Sequence, residues 1–577
     1  MKLRSNVAAF LLLSVFLFTD SFSQTGTPPK PRTSAQVPFD AAAQQTNKIS
    51  ASSQAIEREI AEALTLVQDK HVDGKKVDYN TLFKSINDNM LHTLDPHSNY
   101  FDAKEAEAFR TEQASQYFGI GALLGNLSDT EGKVIATYIR ATFQGAPANR
   151  AGLRYGDKIV AVNGLSMLGK NVTEVRTNLI GPRGTPVKIT VERPATGKRE
   201  EVEIVRDAVS QPSIAEAYMI RPGIGYIAMT GGFHFTTYPE FLTAMRELKA
   251  QGMTQLVLDL RNNPGGLVNQ ALLIANTFLA RGQTILTQKG RIDEASDSYR
   301  ADNPAPDQTP LVVMVNGGSA SASEILSGAL QDHDRALIVG ENTFGKGLVQ
   351  KPIGLEYGSM LLLTIAKYET PSGRLIQRDY SDGNLYNYLY GGTLRDEDAD
   401  NAKPKGAESK TDSGRPVYSG GGINPDVVVK PDTITIERAR GQQKLIDPIF
   451  AFALEVAYGR AGSGFDALKV DRPIAFNYDL KTQDFVVSDI LFQAFKKFAV
   501  EKYKLSAAQI DREHDFVNRA LRSELVTAAY GSTTSLQVIN EYDNQLKRAI
   551  ELLPQAKQLA IEGAKANARK TQSELNR

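Results

Sequence analysis

The chain contains no cysteine and no tryptophan. The first absence excludes disulfides, thiolate metal sites and a cysteine nucleophile together. A dominant charge sign is missing too: 66 Lys and Arg stand against 66 Asp and Glu in 577 residues. That balance removes any global electrostatic case for binding nucleic acid or an anionic membrane. Long apolar runs are scarce, and beyond the N-terminus no segment approaches the 18 or so apolar residues of a membrane span. Histidine is limited to His71, His92, His97, His234, His333 and His514. No cluster of them has zinc-like spacing, with or without carboxylates, so no metal and no other cofactor is expected.

What is present reads as globular protein, 41% hydrophobic and 23% charged, long enough for about three to five domains. Lys2 and Arg4 precede an apolar run from Val7 to Phe18, and Ser21-Phe22-Ser23 offers small residues for cleavage. Residues 1–23 therefore read as a secretory signal, and the mature chain as exported, periplasmic or extracellular, and soluble after cleavage. Residues 24–47, rich in Thr, Pro, Ser, Gln and Ala, form an expected flexible leader. Residues 48–115 follow a helical pattern, with Ile56, Ile60, Ala63, Leu64 and Val67 at helical spacing before a turn at Leu94-Asp95-Pro96-His97-Ser98.

Residues 116–207 contain short strand-like runs at Phe118–Leu124, Val134–Ile139, Lys158–Val162, Val187–Val191 and Glu201–Val205. Among them lie Ala151-Gly152-Leu153, Gly156-Asp157-Lys158-Ile159 and Val162-Asn163-Gly164, after the loop Phe118-Gly119-Ile120-Gly121. The series resembles a PDZ domain of the bacterial protease-associated kind. Glycines at 119 and 121 permit a tight turn whose N–H groups can hold a terminal carboxylate, while the next strand accepts an extended peptide. The position before Gly181, often basic in such domains, is Ile180 here.

From Ile224 to about Ile376, nearly continuous apolar runs alternate with amphipathic segments, which predicts an α/β domain with a substantially parallel sheet over residues 208–390. Residues 391–421 read as an exposed loop, 422–433 as a returning core strand and 434–577 as a helical C-terminal extension. The fold class is thus a multidomain α/β chain with a β-rich PDZ-type unit, an α/β core and helical terminal segments.

The chemistry-bearing segment is Asn316-Gly317-Gly318-Ser319-Ala320-Ser321-Ala322-Ser323-Glu324, which follows an apolar strand and opens a helix. Such a turn presents a hydroxyl where free helix N–H groups favour developing negative charge. Taken alone, a serine-rich string before a helix is more often a cap. Phe344-Gly345-Lys346-Gly347 adds a lysine between glycines after the next strand, and neighbouring strand ends meet in such a sheet.

With Asp259-Leu260-Arg261-Asn262-Asn263-Pro264-Gly265-Gly266 and the Leu94–Ser98 turn, these segments resemble the carboxyl-terminal processing, or tail-specific, proteases over roughly residues 50–435. The resemblance implies a serine endopeptidase, independent of ATP, with Ser321 as nucleophile, Lys346 as general base and Gln350 orienting the lysine. It also implies an oxyanion hole from the Ala322 amide and the Gly265-Gly266 turn, and capture of substrates with free C-termini by Phe118, Gly119, Ile120 and Gly121. A lysine at its ordinary pKa would be neutral in only about one molecule in 2,500 at pH 7, so Lys346 must be desolvated to act. Glu341 is the nearest acid in sequence, and pairing with it would switch the base off. Among histidines, His333 would sit about 18 Å from Ser321 along the helix, and His234 reads as cleft or core lining. The rival function, a PDZ scaffold without proteolysis, is disfavoured by intact Ser321, Lys346 and Gln350. The helical terminal segments offer a surface for a homo-oligomer or an adaptor.

Overall fold

The alternating apolar runs build a six-stranded sheet in which Glu216–Arg221 lies antiparallel to Ile224–Ala228. Gln255–Asp259, Leu311–Val315, Leu337–Gly340 and Val427–Val428 then follow in parallel. In this computed structural model the described residues are 52–114, 116–394, 406–470 and 472–575, so the expected signal and leader lie outside them. Strand Leu311–Val315 is buried at every position because both sheet faces are covered. Leu311, Val313 and Val315 pack with the helices that carry Phe241, Ile274 and Ile325. Val312 and Met314 pack instead on Leu546, Ala549, Leu553 and Ala556 of the C-terminal extension. Two covered faces explain why this strand reads as an unbroken apolar run rather than an alternating one.

A second sheet lies beside the first. Its long strand Met360–Glu369 pairs with Asn99–Phe101, Leu348–Gly354 and Thr284–Gly290. The N-terminal segment thereby adds a strand to the core, directly after the Leu94–Ser98 turn. In the PDZ unit the sheet order is Ala122–Ser128, Val134–Thr142, Lys158–Val162, Pro186–Glu192 and Arg199–Val205. Gln116–Gly119 pairs separately with Asp207–Ser210, so the single strand expected over Phe118–Leu124 is broken at the loop. Ala122–Ser128 is an edge strand, bonded on one side only among the described residues.

Residues 391–421 are not simply an exposed loop. Leu385–Leu394 is helical, and Glu408–Lys410 pairs with Pro416–Tyr418. This hairpin is pinned because Arg415 bonds the buried Asp334 at 2.7 Å and Asp412 bonds His333 at 2.6 Å. Both partners sit just past the helix Ala322–Asp332, so leaving the hairpin in solvent would strand the buried Asp334 carboxylate and take a hydrogen bond from His333. The C-terminal extension packs its apolar faces inside the chain, against Leu127 and Tyr155 of the PDZ unit and against the core sheet.

Candidate active site

Strand Leu311–Val315 delivers the chain into a tight turn, and the helix Ala322–Asp332 leaves it. Ser321 stands at the junction with φ 54° and ψ −113°, a conformation that L-residues adopt only when the surroundings enforce it. The sharp strand-to-helix turn pushes the serine forward, as in a nucleophile elbow. Burial then separates the three serines: Ser319 and Ser323 are 0% exposed and Ser321 is 8% exposed. The Ser319 hydroxyl donates to the Leu260 carbonyl at 2.7 Å, and that of Ser323 to the Asn263 carbonyl at 3.0 Å. Both hydroxyls tie the serine turn to the neighbouring Leu260–Gly266 turn.

That second turn comes close because it ends in glycines. Gly265 has φ +94°, and a Cβ there would lie 2.7 Å from Ser321 Cβ and 2.8 Å from the Ala322 nitrogen. The Gly265 N–H donates to Asn263 Oδ1 at 2.9 Å, so it is not available as an oxyanion donor, and that part of the expected hole is corrected. Asn263 spends its side chain bracing the turn, with Nδ2 donating to the Met229 carbonyl at 2.6 Å. The amides of Gly266 and Ala322 have no hydrogen-bond partner among the described residues.

Glu324 joins the nucleophile to the lysine loop, a role the sequence reading missed. Its carboxylate is 0% exposed and receives four donors. Oε2 accepts from the backbone N–H of Ser321 and that of Lys346, each at 2.8 Å. Oε1 accepts from the Gly345 N–H at 2.7 Å and the Thr343 hydroxyl at 2.5 Å. Burial pushes this carboxyl up to about 7, and the four donors oppose that rise. The available signal was a glutamate three residues after the turn serine, the spacing of a helix capping box. Tyr368 adds a second tie, its hydroxyl 2.6 Å from the Lys346 carbonyl and 3.1 Å from that of Ser321.

Lys346 is enclosed, and burial lowers its amine to about 8 against the opposing pull of Glu324 and then Asp95. Its Nζ makes no hydrogen bond among the described residues, and none joins it to Ser321 Oγ. Glu341 is not among the charges that act on it. Gln350 makes no hydrogen bond with the lysine amine among the described residues; its Nε2 donates to Thr364 Oγ1 at 3.2 Å, directly across the strand pair. Thr364 is held in turn by Asp95 Oδ1 at 3.0 Å, and its N–H donates to Ser98 Oγ at 3.0 Å. The Leu94–Ser98 turn thus braces Met360–Glu369, the strand paired with the one that follows the lysine.

Neither alternative histidine reaches Ser321. His234 Nε2 lies 2.6 Å from the Gly231 carbonyl, and His333 is held between Asp412 and the Thr284 carbonyl. The described residues contain no group of three or more side chains able to hold a metal. In the separate PDZ unit, Ile120 is buried and Gly121 has φ +74° with its Cβ direction closed by Ala146 at 2.3 Å. Phe118 is half-buried and Gly119 packs against the Tyr117 ring.

Two sequence profiles match the chain: Peptidase family S41 over residues 223–383 and PDZ domain over residues 143–193. A carboxy-terminal-processing protease of Bartonella bacilliformis is 36% identical over 307 residues, covering 52% of this chain and 68% of that protein. A probable CtpA-like serine protease of Staphylococcus aureus is 35% identical over 304 residues, covering 52% of this chain and 59% of that protein. Among solved structures, a photosystem II D1 C-terminal processing protease is 27% identical with a TM-score of 0.34, covering 66% of this chain and 87% of that one. With its PDZ unit and its serine turn, the chain belongs to the carboxy-terminal-processing proteases of peptidase family S41 and is a serine-type protease.

Proposed function

We propose that the chain is an exported, ATP-independent endopeptidase that captures protein C-termini in its PDZ groove and cleaves peptide bonds with a Ser321/Lys346 dyad. The observation that carries this reading is the Glu324 carboxylate, which holds the Ser321 and Lys346 backbones on one oxygen while leaving the Lys346 amine without a partner. A neutral Lys346 accepts the Ser321 proton as Oγ attacks the scissile carbonyl carbon, and the oxyanion turns toward the free amides of Gly266 and Ala322. The protonated lysine then delivers its proton to the leaving amine, and water repeats the sequence to release the acyl group. The Ser321–Lys346 hydrogen bond forms when substrate fills the cleft, since catalytic hydrogen bonds tighten on binding.

Recognition rests on the free outer edge of Ala122–Ser128, which can add a peptide strand that ends at the Phe118–Gly121 loop. The apolar run from Val7 to Phe18 supports export, and no described helix is long and apolar enough to cross a membrane. The test is cleavage of an unstructured peptide with a free or an amidated C-terminus by wild type, Ser321→Ala and Lys346→Arg. Both variants should be inactive, because guanidinium keeps its proton. Amidation should lower kcat/KM about ten- to a hundred-fold, as a charge-assisted contact is replaced by a neutral one. An active Lys346→Arg would refute the dyad, and equal cleavage of both tails would refute terminal-carboxylate recognition.

A further inference from the structure

Above the lysine loop, three rings from three parts of the chain form a closed triangle. His97 comes from the N-terminal turn, Phe344 stands two residues before the lysine, and Tyr388 comes from the helix Leu385–Leu394. Their centroids are 5.4 Å apart for His97–Tyr388, 5.6 Å for Phe344–Tyr388 and 6.4 Å for His97–Phe344, all edge to face. Tyr388 is 3% exposed although Leu385 and Tyr386 beside it are exposed, and several neighbours hold it. Arg378 lies 4.6 Å over the Phe344 ring and bonds the Tyr388 carbonyl at 3.0 Å. Gln377 accepts the Gly347 N–H at 2.8 Å and donates to the Tyr388 hydroxyl at 3.1 Å. The cluster is therefore fastened to the residue next to Lys346.

We propose that His97 and Tyr388 are positioning residues that seal the Lys346 amine from water, so that the base exists only while the N-terminal turn and the Leu385–Leu394 helix are docked over it. Proton bookkeeping supports the arrangement. The Gln377 nitrogen can only donate to the Tyr388 oxygen, so the phenolic proton is free to go to His97 Nε2, 2.7 Å away. His97 then carries its proton on Nδ1 and stays neutral. Burial, followed by the adjacent Lys346 charge, drives this imidazole down to about 3. A neutral ring excludes water from the amine without adding a second cation beside it.

The charges facing Lys346 come from several elements. Glu324 on the serine helix and Asp95 on the N-terminal turn favour its ammonium form. Arg378 faces Glu324 and Tyr388, Tyr368 lies under the lysine backbone, and Tyr380 faces Asp95. Neither carboxylate is substituted in the variants that open the seal, so a displacement of the lysine titration on opening reports hydration.

This inference rests on Lys346 acting as the base, and the experiment separates the two ideas. The full chain is made as wild type, His97→Ala, Tyr388→Ala and His97→Phe, and kcat/KM for a short peptide is followed from pH 6 to 10. In parallel, the Lys346 Cε resonance is titrated in the Ser321→Ala background, where no activity is needed. Opening the seal should raise the lysine midpoint from about 8 toward its ordinary value. At pH 7 that lowers kcat/KM between about tenfold, for one unit, and about 300-fold, for full hydration. Activity should return at high pH, and His97→Phe, which keeps a ring, should restore the acid limb. An unmoved midpoint in both alanine variants would overturn the seal, as would a kcat/KM loss equal at every pH. A raised midpoint with an unmoved acid limb would uphold the seal and overturn Lys346 as the base.

Discussion

Replacing Lys346 by methionine should make the protein more stable at neutral pH and less active at every pH. The amine has an ordinary value of 10.5 and is lowered to about 8 by burial. For a base whose folded-state pKa is depressed, the cost to folding is fully present below the folded value and fades as pH rises toward the unfolded one. Two and a half units correspond to at most about 3 kcal/mol at pH 7, falling to about 2 kcal/mol at pH 9. Methionine matches the four-atom apolar stem of lysine and has no ammonium to desolvate, so it removes that cost. The assay is urea unfolding of Ser321→Ala and of Ser321→Ala with Lys346→Met at pH 7, 8 and 9, with self-digestion silenced in both. The added stability should be largest at pH 7 and shrink at each step. A constant increment would mean that packing, not charge, separates the variants. A loss of stability would refute the argument that burial strips the Lys346 ammonium of its solvation.

Ser321→Ala should abolish turnover, on the order of a million-fold in kcat. Ser319→Ala and Ser323→Ala should retain most activity; in thermal unfolding Ser323→Ala should lose about 1 kcal/mol, for its one bond to a carbonyl, and Ser319→Ala about 2 kcal/mol, because it also stops accepting the Asn316 N–H. Gly265→Ala should lower kcat about 10²- to 10³-fold, because its methyl would press on Ser321 Cβ and the Ala322 amide; a kcat within threefold of wild type would count against an oxyanion site there. Glu324→Gln leaves some of the four converging donors without an acceptor, and kcat/KM should fall about 100-fold. With the carboxylate's charge gone, the acid limb should move to lower pH, the opposite of the shift expected on opening the aromatic seal.

The strand, the serine turn and the following helix were legible because their signals are local: an apolar run, a string of small residues and then an amphipathic period. The PDZ unit was legible for the same reason, through glycines that its turns require. The contacts between turns were not. Nothing in the chain near Ser321 announces its positive φ, which the packing of Gly265 and Glu324 enforces from outside. Along the sequence Glu341 is the nearest acid to the lysine, whereas the fold brings Glu324 from 22 residues before it and Asp95 from the N-terminal segment. The family resemblance implies Gln350 as a partner of Lys346, but in the fold its amide meets Thr364 across the ladder. The helical period of the tail was visible, while its destination was not, since a helix pattern says which face is apolar and nothing about what covers it.

That destination bears on how the two units communicate. Glu524 in the tail helix His514–Tyr530 bonds Arg140 and accepts from the Tyr155 hydroxyl at 2.8 Å, both in the PDZ unit. The Tyr458 hydroxyl donates to the Tyr155 carbonyl, and the Ser128 N–H, at the end of the edge strand Ala122–Ser128, donates to Asp447 at 3.1 Å. Further along the same tail, Asp543 and Gln545 hold Arg261 at 2.6 and 2.8 Å. Arg261 lies two residues before the asparagine that braces the Gly265-Gly266 turn. Breaking a buried pair such as Arg140–Glu524 costs about 3–5 kcal/mol, because a charge is left unpaired. A swing of the PDZ unit away from the tail would have to meet that cost together with the loss of the shared apolar cluster around Phe450. Movement of the PDZ unit and the Ile446–Tyr530 helices as one body costs neither. A peptide bound at the PDZ unit, as proposed above, would therefore act on a body that includes the tail, and the tail reaches the Gly265-Gly266 turn through Arg261.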